Sequence, residues 1–226
     1  MTFYDKLVAA TEAVRADFLS IPFLQEGVAG RLTLDQYIAF LTQAYHHVKH
    51  TLPLLMACGS RLPERLEWLR TAVAEYIEEE TGHQEWILND ITACGGDAEA
   101  VRAGQPALAT DLMVAYAYDT IQRRDPIGFF GMVFVLEGTS VQLATRAAES
   151  LQASLHLPTQ AFSYLLSHGS LDISHVDFFK NLVNRLEREE DHRAIVAGAN
   201  VFYRLYGDIF RSLPHRHESQ PLRISA

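Results

Sequence analysis

The sequence predicts an all-α protein, a compact bundle of seven or eight helices. Apolar residues recur at three- and four-residue spacing over long stretches. No useful length alternates with a period of two, and most prolines and glycines fall between the periodic segments.

Residues 2–20 place Phe3, Leu7, Val8, Val14, Phe18 and Leu19 mainly on one face, a first helix that Pro22, Gly27 and Gly30 interrupt. Thr33 with Gln36 forms a capping-box pattern opening a second helix through TLDQYIAFLTQAYHHVKHTLPLL, with a kink expected at Pro53. Pro63 opens a third, reaching about Ala93, where Cys94, Gly95 and Gly96 stop it. A short connection leads to a fourth from about Pro106 to Arg123. Asp125-Pro126 then begin a fifth, which carries Glu137 and continues to about Leu155. Pro158 opens the next, and a last amphipathic helix covers roughly 174–211. Its Glu189, Glu190, Asp191 and His192 read most simply as a solvated face. The tail 212–226, with Pro214 and Pro221, is expected to be mobile.

With 226 residues, 48% hydrophobic and 21% charged, the chain is long enough to bury a sizeable core. No shift in composition or fixed-period repeat divides it, so one helical domain over 1–211 is expected. A net charge of −9 argues against nucleic acid as a partner, because phosphate binding needs a concentrated Lys/Arg surface. Cys58 and Cys94 lack CxxC spacing, so neither a zinc finger nor a disulfide scaffold is indicated. Asp5, Glu12 and Arg15 within a helical pattern do not read as a signal peptide, and the apolar runs are short for a bilayer. A cytoplasmic protein with no membrane partner is expected, and a homodimer is the ordinary expectation for a helical enzyme.

The chemistry-bearing residues are sparse. If their segment is helical, His168, Asp172 and His175 share one face, within roughly 60° of arc. Glu79 or Glu80, four or three residues before His83, forms a comparable pair. Glu137 stands in GFFGMVFVLEG, where a carboxylate is costly to bury unless paired or metal-bound, and Gly131 and Gly138 leave room beside it. Carboxylate and imidazole in this ratio suit iron or manganese, and helical bundles build dinuclear sites from Glu and His on facing helices. His46 or His47 could approach as an additional ligand; pocket lining or surface is the plainer role of each. The competing reading of the triplet is a helix end at His168-Gly169-Ser170 and a new N-cap at Ser174, which would scatter its side chains.

The segments EEETGHQEW, FVLEGTS and HGSLDISHVDFF resemble those of the heme-oxygenase-like di-iron oxidases, in the superfamily that also holds TENA/THI-4 and PqqC proteins. The resemblance runs from Leu32-Thr33 to about Tyr206. It implies a heme-oxygenase-like fold, two ferrous ions or a single one retained, dioxygen as co-substrate, a small organic substrate of fatty-acid or amino-acid origin, and an external electron donor. Carried over by position, Glu80, His83 and His168 would hold one iron, and Glu137, Asp172 and His175 the other, with Glu79 as rival to Glu80. Some relatives carry the first carboxylate where this chain has Tyr76. A thiaminase-type cysteine nucleophile has no counterpart on the central helix, and no histidine precedes His46 to serve as a haem ligand. A metal-independent PqqC- or TENA-like enzyme and a non-catalytic small-molecule binding module are the two alternatives.

Overall fold

The computed structural model describes residues 1–214; within that span the side chains of Gln142 and of 168–174 lie outside the described residues. It is all-α, with no strand among the described residues. Among the described residues twelve α-helices and three short 3-10 turns follow one another. The higher count arises because several expected helices are broken pairs.

The first expected helix is α1 (Phe3–Ala10) and α2 (Glu12–Leu19), separated at Thr11, whose buried hydroxyl donates 2.8 Å to the Leu7 carbonyl instead of facing water. Pro22 starts α3 (Pro22–Val28), since its fixed φ and missing N–H suit a first turn. The capping box is present at α4 (Leu34–Val48): Thr33 Oγ1 accepts from Gln36 N, and Gln36 Oε1 accepts from Thr33 N at 2.9 Å. The break after α4 falls at Lys49-His50, three residues before Pro53, which therefore sits in the first turn of α5 (Thr51–Arg61).

The expected third helix divides into α6 (Glu67–Glu79) and α7 (His83–Ala93). Gly82, at φ +93, makes the turn between them, a conformation that a side chain would oppose. The stop at Cys94-Gly95 falls where the sequence places it. The expected connection holds α8 (Ala98–Ala103), followed by α9 (Leu108–Arg123). After a 3-10 turn over Pro126–Phe129 comes α10 (Phe130–Leu155), the longest element.

Another 3-10 turn leads to α11 (Ser163–Val183), whose backbone runs through the expected break at 168–174 without interruption. The interruption comes later, at 184–188, so the last helix is α12 (Glu189–Ser212) and not 174–211. Arg185 stacks over Trp68 of α6 with 4.0 Å to the ring centroid, tying this turn to the bundle. The solvated face is corrected in part. Asp191 is 1% exposed and takes a bidentate pair of 2.7 Å contacts from Arg65, and His192 stacks on Phe3. Glu189 and Glu190 do face solvent.

α10 is the centre of the bundle, packed on α11, α12 and α3. Its crossing with α12 is a backbone approach: a Cβ on Gly131 would stand 2.3 Å from Ala199 N, and one on Gly198 would stand 2.3 Å from the Gly128 carbonyl oxygen. Gly131 is thus consumed by packing and leaves no room beside Glu137. Gly138 does, since a Cβ there would meet nothing within 4 Å. α10 also bends by 43° between its parts before Val141 and after Leu143. Ser140 Oγ donates 3.0 Å to the Leu136 carbonyl, the back-bonding that loosens a helix ladder and bends it. Among the described residues no single helix is long and apolar enough to cross a membrane. Residues 215–226, most of the expected mobile tail, lie outside the described residues.

Candidate metal centre

Glu80, Glu137 and His47 line one cavity of about 80 Å³ between α4, α5, α6 and α10. Its walls include Leu54, Leu55, Phe129, Met132 and Leu136, and among the described residues no lysine or arginine lines it. Phe130 and Phe134, the other aromatic residues beside Glu137, are buried in the core; Phe134 meets Tyr4, Phe179 and Tyr203.

Tyr76 occupies the middle of the site. Its phenol is 2% exposed, and its ring lies against His175 and Phe178 of α11, with centroid separations of 6.1 and 5.2 Å. Burial first, then the nearby Glu137 carboxylate, hold its pKa well above the ordinary phenol range; Glu79 and Glu80 add to the effect. The hydroxyl therefore keeps its proton, and among the described residues no acceptor lies within hydrogen-bond reach of it. Glu137 is itself 9% exposed, as costly a place for a carboxylate as its apolar sequence context indicates.

Two carboxylate–imidazole pairs flank this centre. Glu80 Oε2 lies 2.9 Å from His83 Nδ1, with side-chain exposures of 14% and 4%. Glu79 Oε2 lies 3.1 Å from His175 Nε2 and is half exposed. The two rival glutamates thus meet different histidines, and Glu80 is the one that reaches the cavity. The turn at Gly82 permits this: it ends α6 near Glu80 and starts α7 at His83, whose ring stacks on Trp86 with centroids 4.0 Å apart. His83 adjoins the cavity through Glu80 rather than lining it.

The helix bearing His175 is set by a residue that sequence reasoning passed over. Asp90, fully buried on α7, accepts from Ser163 N at 3.1 Å and Tyr164 N at 2.9 Å, and also from the Ser163 hydroxyl. It caps α11 from a neighbouring helix, locking together the elements that carry His83 and His175. Burial raises its pKa while these donors pull it down, and burial wins. Only pairing distant in sequence reveals such a cap, although an Asp two turns after His83 on the same helix was the available signal.

The side chains of His168 and Asp172 lie outside the described residues. Their positions belong to the unbroken α11, about one and a half and two and a half turns along from Ser163. Of the two histidines on α4, His47 faces the cavity, with its ring 5.8 Å from that of Tyr206, whereas His46 Nδ1 stands 3.3 Å from Lys49 Nζ. His50 meets the Tyr118 hydroxyl at 3.3 Å.

Among the described residues no three His, Cys, Asp or Glu side chains are gathered closely enough to hold an ion as they stand. The donors that do approach are carboxylates and imidazoles, the set suited to iron. Both cysteines are buried and free, and burial pushes Cys58 up to about 12 and Cys94 up to about 11, so neither offers a thiolate as ligand or nucleophile.

An all-α bundle of this topology, with a buried glutamate on its central helix and buried histidines around it, has a heme-oxygenase-like fold. The comparisons narrow this: the sequence pattern of the iron-containing redox enzymes matches residues 38–207, and the chain belongs to that family. It is 25% identical over 217 residues to a 4-aminobenzoate synthase from Chlamydia muridarum (strain MoPn / Nigg), covering 92% of this chain and 88% of that one. Among solved structures it resembles a domain with a heme oxygenase-like fold from Shewanella denitrificans OS217, at TM-score 0.78 and 23% identity, over 92% of this chain and 88% of that one. The TenA homologue from P. horikoshii OT3 (TM-score 0.77, 12% identity, 93% and 97% covered) shares the fold. So does heme oxygenase from Leptospira interrogans (TM-score 0.75, 15% identity, 94% and 100% covered).

Proposed function

We propose that the protein is a non-haem, dioxygen-dependent oxidoreductase acting on a small organic molecule at a two-iron centre. The observation that carries the reading is the placing of Glu80 and Glu137 beside Tyr76 in a largely apolar cavity, with the Glu79–His175 contact on the outer side of the same tyrosine. Membership of an iron-containing redox enzyme family supports the choice of metal. The relative named 4-aminobenzoate synthase supports a small organic molecule as what the centre handles.

Glu80, His83 and His168 would hold one iron and Glu137, Asp172 and His175 the other, with His47 as an additional donor at the cavity wall. Iron bound there would supply the electrons that dioxygen must accept, replenished by an external donor. The chain's own part is more local. Tyr76 stands beside the Glu137 carboxylate as a neutral phenol and keeps its proton at neutral pH. Leu54, Leu55, Met132 and Leu136 exclude water, which strengthens every electrostatic contact inside. His47, Thr51, Ser140, Tyr164 and Tyr206 leave polar groups on a largely apolar wall, where they can orient a substrate.

The test is iron content by elemental analysis after anaerobic ferrous loading, with oxygen uptake measured on the same samples. His83→Ala and Glu137→Ala should each hold less iron and consume less oxygen than the parent, with the far-ultraviolet helical signal retained. Unchanged iron in both variants would remove them from the centre and favour metal-independent chemistry in the same cavity.

A further inference from the structure

A second cavity of about 70 Å³ lies beside the first, between α3, α4, α10, α11 and α12, and is lined mostly by apolar groups, with the hydroxyl-bearing Thr139, Ser140 and three tyrosines among them. Among the described residues no Asp, Glu, Lys, Arg or His lines it. Ser140, Tyr164 and Tyr206 belong to the walls of both cavities, so the two are neighbouring compartments divided by three side chains.

The space has a cause in the sequence. On α10, Glu137, Ser140, Ala144, Ala147 and Leu151 follow at offsets of three and four, which keeps them on one face within roughly 80° of arc. The first faces the proposed centre, Ser140 stands at the division and the last three line the second cavity. Gly27 across from them, with Ala144 and Ala147, supplies the small side chains that leave the volume unfilled. The bend beside Ser140 falls at the junction. From Glu137 to Ala147 the helix axis advances about 15 Å.

We propose that the second cavity binds the uncharged, apolar body of the substrate while its polar, reacting end lies at Glu137. The protein then selects an elongated molecule with a single polar end, and discriminates against one that carries a charge at its far end. A charge there would be desolvated among leucine, alanine and phenylalanine side chains with no ion-pair partner. The assignment of the reacting end rests on the iron-centre reading; the occupancy of the second cavity does not.

The experiment uses the full chain without iron and a series of straight-chain primary alcohols, 1-butanol to 1-dodecanol, titrated by calorimetry. Affinity should rise about fourfold per methylene and level off once the cavity is filled. Ala147→Trp, at a half-buried position, should weaken the best-binding alcohol at least about tenfold and move the levelling to shorter chains. Leu143→Ala should move it to longer chains, and decides the matter alone if the tryptophan variant does not fold. An α,ω-diaminoalkane of the same length should bind at least about tenfold more weakly than the alcohol. Equal binding of alcohol and diamine, or a levelling point unmoved by Leu143→Ala, would overturn the proposal. Loss of dimerisation in Ala147→Trp with unchanged alcohol binding would assign the cavity to a second copy of the chain and overturn it equally. Because the alcohols are measured without iron, a protein that binds them but never binds iron would defeat the functional reading and leave this cavity standing.

Discussion

Replacing Tyr76 with Phe keeps the ring against His175 and Phe178 but removes a buried hydroxyl that has no hydrogen-bond partner among the described residues. Burying such a group costs about 1–3 kcal/mol, so the iron-free Tyr76→Phe protein should unfold at a urea midpoint equal to or above the parent's. A lower midpoint would show that the hydroxyl is hydrogen-bonded in the folded protein. His46 and His50 provide a pH test. Burial first, and then Lys49, hold both below the ordinary imidazole value. The unfolded chain therefore takes up protons at higher pH than the folded one, and the stability present above about pH 6.5 is lost as pH falls through the folded values. Urea midpoints should drop between about pH 7.5 and 5, and less steeply in His46→Gln; equal slopes in the two proteins would contradict the assignment. At this scale the residue types were legible in the sequence, because a glutamate in GFFGMVFVLEG and a histidine after EEETG conflict with their surroundings. Which of His46 and His47, both buried, lines the cavity was not, since that depends on how α4 is rotated against its neighbours.

Asp90 joins two elements, and its loss should be felt at both. Asp90→Ala removes a helix cap and leaves buried N–H donors at the start of α11, which should cost about 2 kcal/mol or more in chemical denaturation, against less for Asp90→Ser. Equal stability of all three proteins would mean that α11 is positioned by other contacts. The elements themselves were read well where local chemistry decides them: the Thr33–Gln36 box, the glycine stop after α7 and the Pro126 start before α10 all depend on adjacent residues. The breaks at Thr11, Lys49-His50, Gly82 and 184–188 were missed or misplaced. Helix-favouring glutamates run up to Gly82, and nothing local outweighs them. The turn there serves packing of α7 against α4 and α11. The unbroken α11 is the opposite case: Gly169 and Ser170 weaken it locally, yet its long contact with α10 and the cap from Asp90 hold it.

Across the whole molecule, a resident metal is a ligand of the folded state alone. Ferrous iron at about one hundred times its dissociation constant adds about 2.7 kcal/mol, and a domain of this size should then melt about 5–10 °C higher under anaerobic conditions. The same iron should leave the melting of His83→Ala closer to its iron-free value. The class of fold was legible throughout, because helical periodicity and turn chemistry are local. The Arg65–Asp191 pair and the glycine crossing of α10 with α12 were not, since each joins residues far apart in the chain.

The most direct test of the central claim is a stoichiometric one: anaerobic titration of the iron-free protein with ferrous ions, with iron per chain counted by elemental analysis and the bound ions examined by Mössbauer spectroscopy. The account predicts two irons per chain with nitrogen- and oxygen-rich ligation, falling in both His83→Ala and Glu137→Ala. A parent protein that retains no iron, or variants that retain as much as the parent, would contradict it.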